Sequence, residues 1–203
     1  MSNVSYEIRG DTGYGTLHDG TVFLFSADKF DRIRDVNWYR NFKEQGKQLY
    51  IISTRGKKLH EFLVDCPKGY EVDHISLDTL DNRDCNLRVV THQQNQCNQP
   101  LQRNNTSGVA GVSYYPPLRK YRARIKIMQH EIHLGYYQTF EEAVQARNVG
   151  IECMFGNYGR YNDVPPAPKW IRNRVMDKCG RFAELSICKA FHLSHGKTLE
   201  VGA

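Results

Sequence analysis

The chain has 203 residues, enough for one medium domain or two small ones. Hydrophobic residues make up 40% and charged residues 25%, a balance typical of a folded protein and not of a disordered one. The apolar runs are too short to span a bilayer and residues 1–10 lack the apolar core of a signal peptide, so we expect an intracellular, cytoplasmic protein with no membrane partner.

The net charge of +6 lies in the rear half of the chain. Residues 1–98 carry 13 Lys and Arg against 14 Asp and Glu, whereas residues 99–158 carry 7 against 4 and residues 159–203 carry 8 against 4. Six cationic and no acidic residues occur between Arg103 and His130. This asymmetry favours a polyanionic partner for the rear half.

The six cysteines include no CxxC pair. Structural zinc sites generally need such close pairs, so the sequence favours reduced, unpaired thiols over a zinc site.

The front of the chain is predicted to form short strands separated by turns. The Asp19-Gly20 pair between two apolar runs predicts a hairpin. Residues 26–36 predict a short helix with Ser26 as its N-cap. A second hairpin is predicted between residues 49–54 and 58–64, and the whole front segment is expected to have a supporting role.

Residues 72–95 place a carboxylate, an imidazole and several amides within a short stretch of the chain. Asp73 and His74 follow a short apolar run, and we expect a strand to end there. A loop then leads to a helix that begins near Asp84 or after Thr91. Asn95 falls one helical turn past Thr91, so its side chain can point back toward Asp73.

A carboxylate, an imidazole and an amide suit metal-assisted phosphoryl transfer. An imidazole with a pKa near ~6.5 has a neutral fraction that can take a proton at cellular pH. A hard cation such as Mg²⁺ prefers oxygen ligands and neutralises charge that develops on a phosphate.

The segment resembles the HNH nucleases of the ββα-metal fold, through Asp73-His74, Asn86-Leu87 and Asn95. The resemblance implies that His74 is the general base and that Asn86 fixes the loop that orients it. It also implies that Asp73 and Asn95 hold one divalent cation, with Mg²⁺ expected first and Mn²⁺ as the alternative.

Two positions depart from the commoner pattern of that family. Asn95 stands where many members have a second histidine, as in one branch of the family. His60 is followed by Glu61 where the branch often has arginine, which leaves the role of His60 open. The competing interpretation of the segment is an ordinary strand, loop and helix whose asparagines stabilise turns.

Residues 105–157 look like a second module after a linker at 99–104. Strands are predicted at 111–115, 121–127 and 131–136, with Ile132, Leu134 and Tyr136 facing the core. The sequence from Thr139 to Glu142 predicts a capping box that opens a helix running to about Phe155.

This module resembles the APETALA-two type DNA-binding domain of ethylene-responsive factors, through Ser107-Gly108, Gly111-Val112, Tyr121-Arg122-Ala123 and His133-Leu134-Gly135-Tyr136. The resemblance implies that the sheet lies in the major groove of DNA. The residues expected to contact DNA are Arg122, Arg124 and Lys126, joined by Tyr114, Arg119 and His133. The alternative is a basic face that only contacts solvent.

The sequence therefore predicts an α+β fold: a β-rich N-terminal region leading into a ββα-metal motif, then a three-stranded antiparallel sheet packed on one helix. The expected domains are an HNH nuclease at 1–98 with its core at about 58–98, the linker at 99–104, an APETALA-two type domain at 105–157, and a basic tail of unknown role at 158–203.

The predicted function is a metal-dependent, site-selective DNA endonuclease of the HNH homing type that acts on double-stranded DNA without an obligate protein partner. If the chain is encoded by a virus, the expected location is the cytoplasm of the host cell. The rival prediction is a sequence-specific DNA-binding regulator with an inactive nuclease scaffold. A toxin nuclease of the colicin or RNA-directed kind has no export or immunity signature to support it.

Overall fold

The computed structural model describes residues 3–41, 49–101 and 103–187. The chain divides into two compact units, Met1–Asn95 and Gln96–Ala203. The elements form a mixed α+β structure with several small sheets and few helices. Within the described ranges, no helix combines the length and apolar character needed to cross a membrane.

The first unit is built mainly from short strands. Its strands are β1 Val4–Arg9, β2 Thr12–Leu17, β3 Val22–Ser26, β4 Trp38–Asn41, β5 Tyr50–Ser53, β6 Tyr70–His74, β7 Asp81–Asn82 and β8 Leu87–Thr91. Its helices are α1 Phe30–Ile33 and α2 Leu59–Leu63, and α3 His92–Cys97 begins in it.

Three sheets organise these strands. β1, β2, β3 and β7 form a four-stranded sheet, in which β7 runs parallel to β3. β4 pairs with β5, and β6 pairs with β8, both antiparallel. The predicted hairpin at Asp19-Gly20 is confirmed, because it joins β2 to β3.

Aromatic rings fill the core beside the four-stranded sheet. Tyr6 contacts Phe23 and Phe25 edge-on, with ring centroids 6.5 and 5.9 Å apart. Gly13 and Gly15 on β2 lie beneath the rings of Phe25 and Phe23, and a Cβ at either glycine would come within 2.2 Å of a ring carbon. Both positions therefore need glycine so that the rings can pack on the strand.

The predicted second hairpin is wrong in its second half. The turn exists, since Ser53 N donates to Lys57 O at 2.8 Å, but residues 59–63 form α2. Leu59 and Leu63 are spaced four apart and are both buried, which fits a helix better than a strand. β5 pairs with β4, and a single antiparallel bridge between Ile52 and Lys58 joins it to the second half of the predicted hairpin.

The predicted helix at 26–36 is shorter than expected. It consists of a 3₁₀ turn followed by the single α-helical turn α1, and the Ser26 side chain does not cap it. The Ser26 hydroxyl accepts instead from Asp84 N at 2.8 Å, a contact 58 residues away in the chain. A tertiary contact has replaced the local one.

In its described residues, the second unit has a three-stranded antiparallel sheet and two α-helices. Its strands are β9 Val112–Tyr115, β10 Lys120–Ile127 and β11 His130–Tyr137, in the order β11-β10-β9. Its helices are α4 Phe140–Met154 and α5 Lys169–Gly180. The capping box at Thr139 is confirmed, since Glu142 N donates to Thr139 Oγ1 at 3.1 Å and Glu142 Oε2 accepts from Thr139 N at 3.1 Å.

A β-bulge corrects the predicted alternation of β11. Ala123 pairs with Gly135, but Arg124 pairs with His133, so Leu134 is the extra residue. Ile132 and Leu134 are buried as predicted, whereas Tyr136 is only partly buried and the next residue, Tyr137, fills the core.

Part of the predicted tail belongs to the core of the second unit. Ile171, Val175 and Cys179 of α5 are buried in the same hydrophobic cluster as the sheet and α4. Residues 188–203 of the tail and residue 102 of the predicted linker lie outside the described residues.

We predict that Thr139→Ala lowers the free energy of unfolding of the second unit by about 1 kcal/mol, because the first turn of α4 loses its cap. Urea denaturation followed by circular dichroism would measure the change. Thr106→Ala, at an exposed threonine outside the helix, is the control and should leave stability unchanged. Equal stability of the parent and the Thr139 variant would contradict the role of the cap.

Candidate active site and nucleic-acid interface

The β6–β8 pair sets out the predicted catalytic groups. His74 is opposite Leu87, and Asp73 is opposite Arg88. Because side chains alternate along a strand, Glu71 and Asp73 share one face of β6 and His74 lies on the other. The predicted strand end at residues 72–75 is confirmed, since β6 ends at His74.

The His74 ring is buried and held by Asn82. His74 Nε2 lies 3.1 Å from Asn82 Oδ1. Asn82 Nδ2 donates to Leu80 O at 3.1 Å, which fixes the amide with its oxygen toward the ring. An amide oxygen only accepts, so His74 Nε2 carries the proton and Nδ1 carries the lone pair in the neutral ring.

The surroundings of His74 favour its neutral form. Burial lowers the pKa of His74 below its usual value, and the hydrogen bond to Asn82 opposes this shift only in part. The lowered pKa leaves the imidazole neutral and able to accept a proton at neutral pH.

A second histidine contacts the first. The His60 and His74 ring centroids are 4.7 Å apart with the rings nearly perpendicular, and Tyr50 lies 5.5 Å from His60. Burial, followed by the charge of His74, lowers the pKa of His60 to about 3. Although Glu61 Oε1 lies 3.8 Å from His60 Nε2, its half-exposed carboxylate does not offset the loss of hydration.

Asn86 ties together the loop that comes after His74. Its Oδ1 accepts from Ser76 N at 2.9 Å, and its Nδ2 donates to Asp81 O at 2.7 Å. Its backbone oxygen accepts from Ile75 N at 2.8 Å. One buried side chain thus joins both ends of the loop.

Asp73 and Asn95 each have a partner that the sequence did not indicate. Arg88 Nη2 and Nε donate to Asp73 Oδ2 at 2.8 and 2.9 Å. Asn95 Nδ2 donates to Glu71 Oε2 at 2.5 Å, and His92 Nδ1 lies 2.8 Å from Glu71 Oε1. The contact with Glu71 places the Asn95 side chain on the face of β6 that carries Asp73.

The helix that carries Asn95 begins after Thr91, which confirms one of the two predicted starting points. Gln94 N donates to Thr91 Oγ1 at 3.3 Å, and Thr91 N donates to Gln94 Oε1 at 2.8 Å. The other alternative is wrong: residues 84–86 form a 3₁₀ turn and residues 87–91 form β8.

The donor types at this face suit a hard cation. Asp73 contributes a carboxylate and Asn95 an amide oxygen, and divalent cations such as Mg²⁺ prefer oxygen ligands. In residues 3–41, 49–101 and 103–187, no group of three or more His, Cys, Asp or Glu side chains is placed to bind a metal.

In the second unit, the face of β10 that carries Arg122, Arg124 and Lys126 points away from the core. Ala123, Ile125 and Ile127 on the other face are buried, as the alternation predicted. Arg124 Nη1 donates to Glu131 Oε2 at 2.7 Å across the strands. The sequence of β10 alone did not indicate this acidic partner, because Glu131 belongs to β11.

Aromatic rings lie among these cations. Arg122 Cζ is 5.8 Å from the centre of the Tyr115 ring, Tyr115 lies 5.1 Å from Tyr136, and Tyr136 lies 4.5 Å from His133. The bulge in β11 thus brings Tyr136 onto the outer face. We define this outer face as Tyr115, Lys120, Arg122, Arg124, Lys126, Glu131, His133 and Tyr136.

Two of the predicted DNA-contacting residues lie away from the centre of the outer face. Tyr114 packs on Tyr121, which packs on Phe140 of α4, so its ring is on the helix side of the sheet. Arg119 is exposed in the turn between β9 and β10, with a left-handed backbone (φ 51°). The structure brings Arg122 and His133 together but not Tyr114.

A family model described as HNH endonuclease matches residues 65–97, the segment that holds β6, the loop, β8 and α3. A protein of Acanthamoeba polyphaga mimivirus, named an uncharacterized HNH endonuclease, is 32% identical over 155 residues, which cover 71% of this chain and 76% of the relative. The chain belongs to the HNH endonuclease family.

Other comparisons extend this result. Protein 3.8 of Escherichia phage T7 is 34% identical over 59 residues, which are 29% of this chain and 49% of that protein. No solved structure matches the chain. The share of 71% matched by the mimivirus HNH endonuclease exceeds either compact unit, so that similarity reaches into both.

Membership of the HNH endonuclease family supports nuclease activity on DNA, and HNH nucleases generally depend on a divalent metal. The HNH model stops at residue 97. The APETALA-two interpretation of the second unit therefore stays a prediction.

We predict that His60 makes folding sensitive to acid. Its pKa is about 3 in the folded chain against 6.5 ordinarily, so the unfolded chain binds a proton at pH 3 to 6.5 that the folded chain excludes. Stability from this residue is complete above pH 6.5 and falls as the pH drops, by about 2 kcal/mol between pH 7 and 5.

His60→Phe keeps a ring against His74 and removes the titrating group. Its free energy of unfolding should fall less than that of the parent between pH 7 and 5, by about 2 kcal/mol. Urea denaturation at both pH values would measure this difference. The same loss in the parent and the variant would show that His60 does not resist protonation.

Proposed function

We propose that this HNH protein is a metal-dependent, site-selective DNA endonuclease of the homing type. The observation that carries the proposal is the buried His74 ring, oriented by Asn82 inside the segment that the HNH model matches. In this proposal the first unit cuts double-stranded DNA and the second selects the site. It acts inside the cell, in the host cytoplasm if a virus encodes the chain.

His74 is the general base of the proposed reaction. Nε2 is engaged with Asn82, so Nδ1 is the nitrogen that takes a proton from the attacking water. Asn82 also supports the imidazolium that forms, because its amide oxygen continues to accept from Nε2–H. Asn86 keeps the loop, and therefore Asn82, in place.

Asp73 and Asn95 would hold the divalent cation, Mg²⁺ first and Mn²⁺ as the alternative. When bound, such a cation would neutralise the negative charge that develops on the phosphate and on the leaving oxygen. Arg88 orients the Asp73 carboxylate through two hydrogen bonds, and Glu71 orients the Asn95 amide. Both partners restrict the donors to one face of β6.

The outer face of the second unit would bind the DNA groove. Arg122, Arg124, Lys126 and His133 supply donors for bases and phosphates, and Arg119 extends the basic surface at the turn. Arg122 has the strongest claim, since its guanidinium is supported by the Tyr115 ring, whereas Arg124 is already paired with Glu131. Contact through Tyr114 stays a prediction, because its ring lies on the helix side.

We predict that His74→Ala lowers the rate of DNA cleavage by about 10²- to 10⁴-fold, the usual contribution of a general base. DNA binding should be unchanged, because the His74 ring is buried. Relaxation of supercoiled plasmid with Mg²⁺ would measure cleavage, and gel shift with EDTA would measure binding.

His18→Ala is the matched control for this experiment, at an exposed histidine, and should cleave at the parent rate. If the His74 variant also cleaved at that rate, His74 would not be the base.

One observation favours the rival function, a DNA-binding regulator with an inactive nuclease scaffold. Asp73 Oδ2 is ion-paired with Arg88 Nη2 at 2.8 Å, so a cation of the chain already binds the carboxylate that is expected to hold the metal. The rival requires parent protein that binds DNA but does not nick supercoiled plasmid with Mg²⁺ or Mn²⁺. Nicking that depends on either cation would reject it.

We predict that Arg122→Gln reduces the dependence of DNA affinity on salt. Each lost phosphate contact should lower the slope of log K against log salt by about 1. Arg124→Gln should have a smaller effect, because Glu131 already neutralises that charge. Fluorescence anisotropy with a labelled duplex in EDTA would measure both slopes.

Arg160→Gln removes the same charge at an exposed position off the sheet and is the control. Equal slopes for the parent and the Arg122 variant would mean that Arg122 does not contact phosphate.

A further inference from the structure

Helix α5 carries two parallel stripes of side chains. Ile171, Val175 and Cys179, spaced four apart, are buried in the core of the second unit. Trp170, Arg174 and Lys178 have the same spacing one residue earlier, so they form a neighbouring stripe on the helix. Trp170 is 51% exposed although it is a large aromatic residue.

The stripe of Trp170, Arg174 and Lys178 runs beside β11. The Trp170 and Tyr137 ring centroids are 6.0 Å apart, and Arg174 Cζ lies 5.6 Å from the centre of the Tyr137 ring. Tyr137 is the last residue of β11, the strand that brings His133 and Tyr136 to the outer face. The stripe therefore lies beside the end of β11, next to the residue that follows Tyr136 of the outer face.

Charges from the helix and the sheet act on one imidazole. Burial lowers the pKa of His133, and the charges of Lys178, Arg122 and Arg174 lower it further. Arg122 belongs to β10 of the outer face, while the other two belong to α5. Positive charges from β10 and α5 therefore act together on His133, and the carboxylate of Glu131 opposes them in part.

Three other arginines of this unit have acidic partners, unlike Arg174 and Lys178. Arg172 pairs with Glu152 at 2.5 Å, Arg124 with Glu131 at 2.7 Å and Arg181 with Asp177 at 3.7 Å. In the described part of the chain, neither Arg174 nor Lys178 has an acidic side chain within 4.0 Å.

The crowding of like charges shows at Lys178. Burial lowers its pKa, the charges of Arg174 and Arg181 lower it further, and Asp177 opposes the shift only in part. Folding thus gathers positive charges that repel one another, and an anion bound there would relieve this repulsion.

We propose that Trp170, Arg174 and Lys178 of α5 form a second DNA-binding element, which contacts the phosphate backbone of the duplex beside the segment that the outer face reads. The inference rests on the proposed function of that face. The proposed interface then includes helix α5, which lies outside the predicted DNA-binding module at 105–157. Duplex DNA is the partner because an arginine, a lysine and a flanking aromatic ring beside β11 suit a row of phosphates.

The first test compares two double variants that each remove one Arg and one Lys from α5. Arg174→Gln with Lys178→Gln should lower the slope of log K against log salt by about 2 and weaken binding about tenfold or more. Lys169→Gln with Arg172→Gln, on other faces of the helix, should leave both quantities at the parent value. The probe is a fluorescein-labelled random-sequence duplex in EDTA, so that no strand is cut.

The second test uses the two tryptophans of the chain. Trp38 is fully buried and Trp170 is half-exposed, so quenching of tryptophan fluorescence by acrylamide reports mainly on Trp170. Saturating duplex should protect the intact protein from quenching. This readout needs no substitution and therefore does not depend on whether a variant folds.

The outcomes separate this inference from the function on which it rests. If Arg122→Gln lowers the salt slope while the Arg174 and Lys178 double variant keeps the parent slope and Trp170 stays accessible, the outer face binds DNA and α5 does not. If the parent shows no salt-dependent binding to the duplex, the proposed function itself fails. A lowered slope in the double variant, together with protection of Trp170, supports the assignment of α5.

Discussion

The buried hydrogen bond between His74 and Asn82 is the interaction on which the proposed chemistry depends. It sets the tautomer of the imidazole and fixes the direction in which its lone pair points. The N-terminal sheet maintains it, because Asn82 lies on β7, which pairs with β3, and Leu24 N donates to Leu80 O at 2.8 Å. The N-terminal sheet therefore supports the site through the specific pairing of β3 with β7.

Features that depend on neighbouring residues could be predicted from the sequence. The hairpin at Asp19-Gly20, the capping box at Thr139 and the alternating faces of β10 each depend on side chains within a few positions of one another. Expectations failed where distant contacts decided the conformation. Ser26 bonded Asp84 instead of capping its own helix, whereas the helix at 59–63 has a local signal, because Leu59 and Leu63 are four residues apart and both buried.

The partners of the candidate site illustrate the same limit. Asp73, His74, Asn86 and Asn95 could be selected because they occur in a compact pattern. Arg88 and Glu71 could not, and the role of His60 stayed open, since their contacts come from strand register and packing. The pairing of Asp73 with Arg88 needs β6 and β8 to align, and the contact of His60 with His74 joins a helix to a strand.

The extra residue in β11, Leu134, constrains the length of this strand. Leu134 shifts the alternation by one, so that Tyr136 turns outward beside Tyr115 while Tyr137 closes the core. Loss of a single residue here would exchange the two tyrosines between protein interior and surface. The length of β11 is therefore constrained, because the number of residues that precede Tyr136 in the strand decides which of the two rings faces solvent.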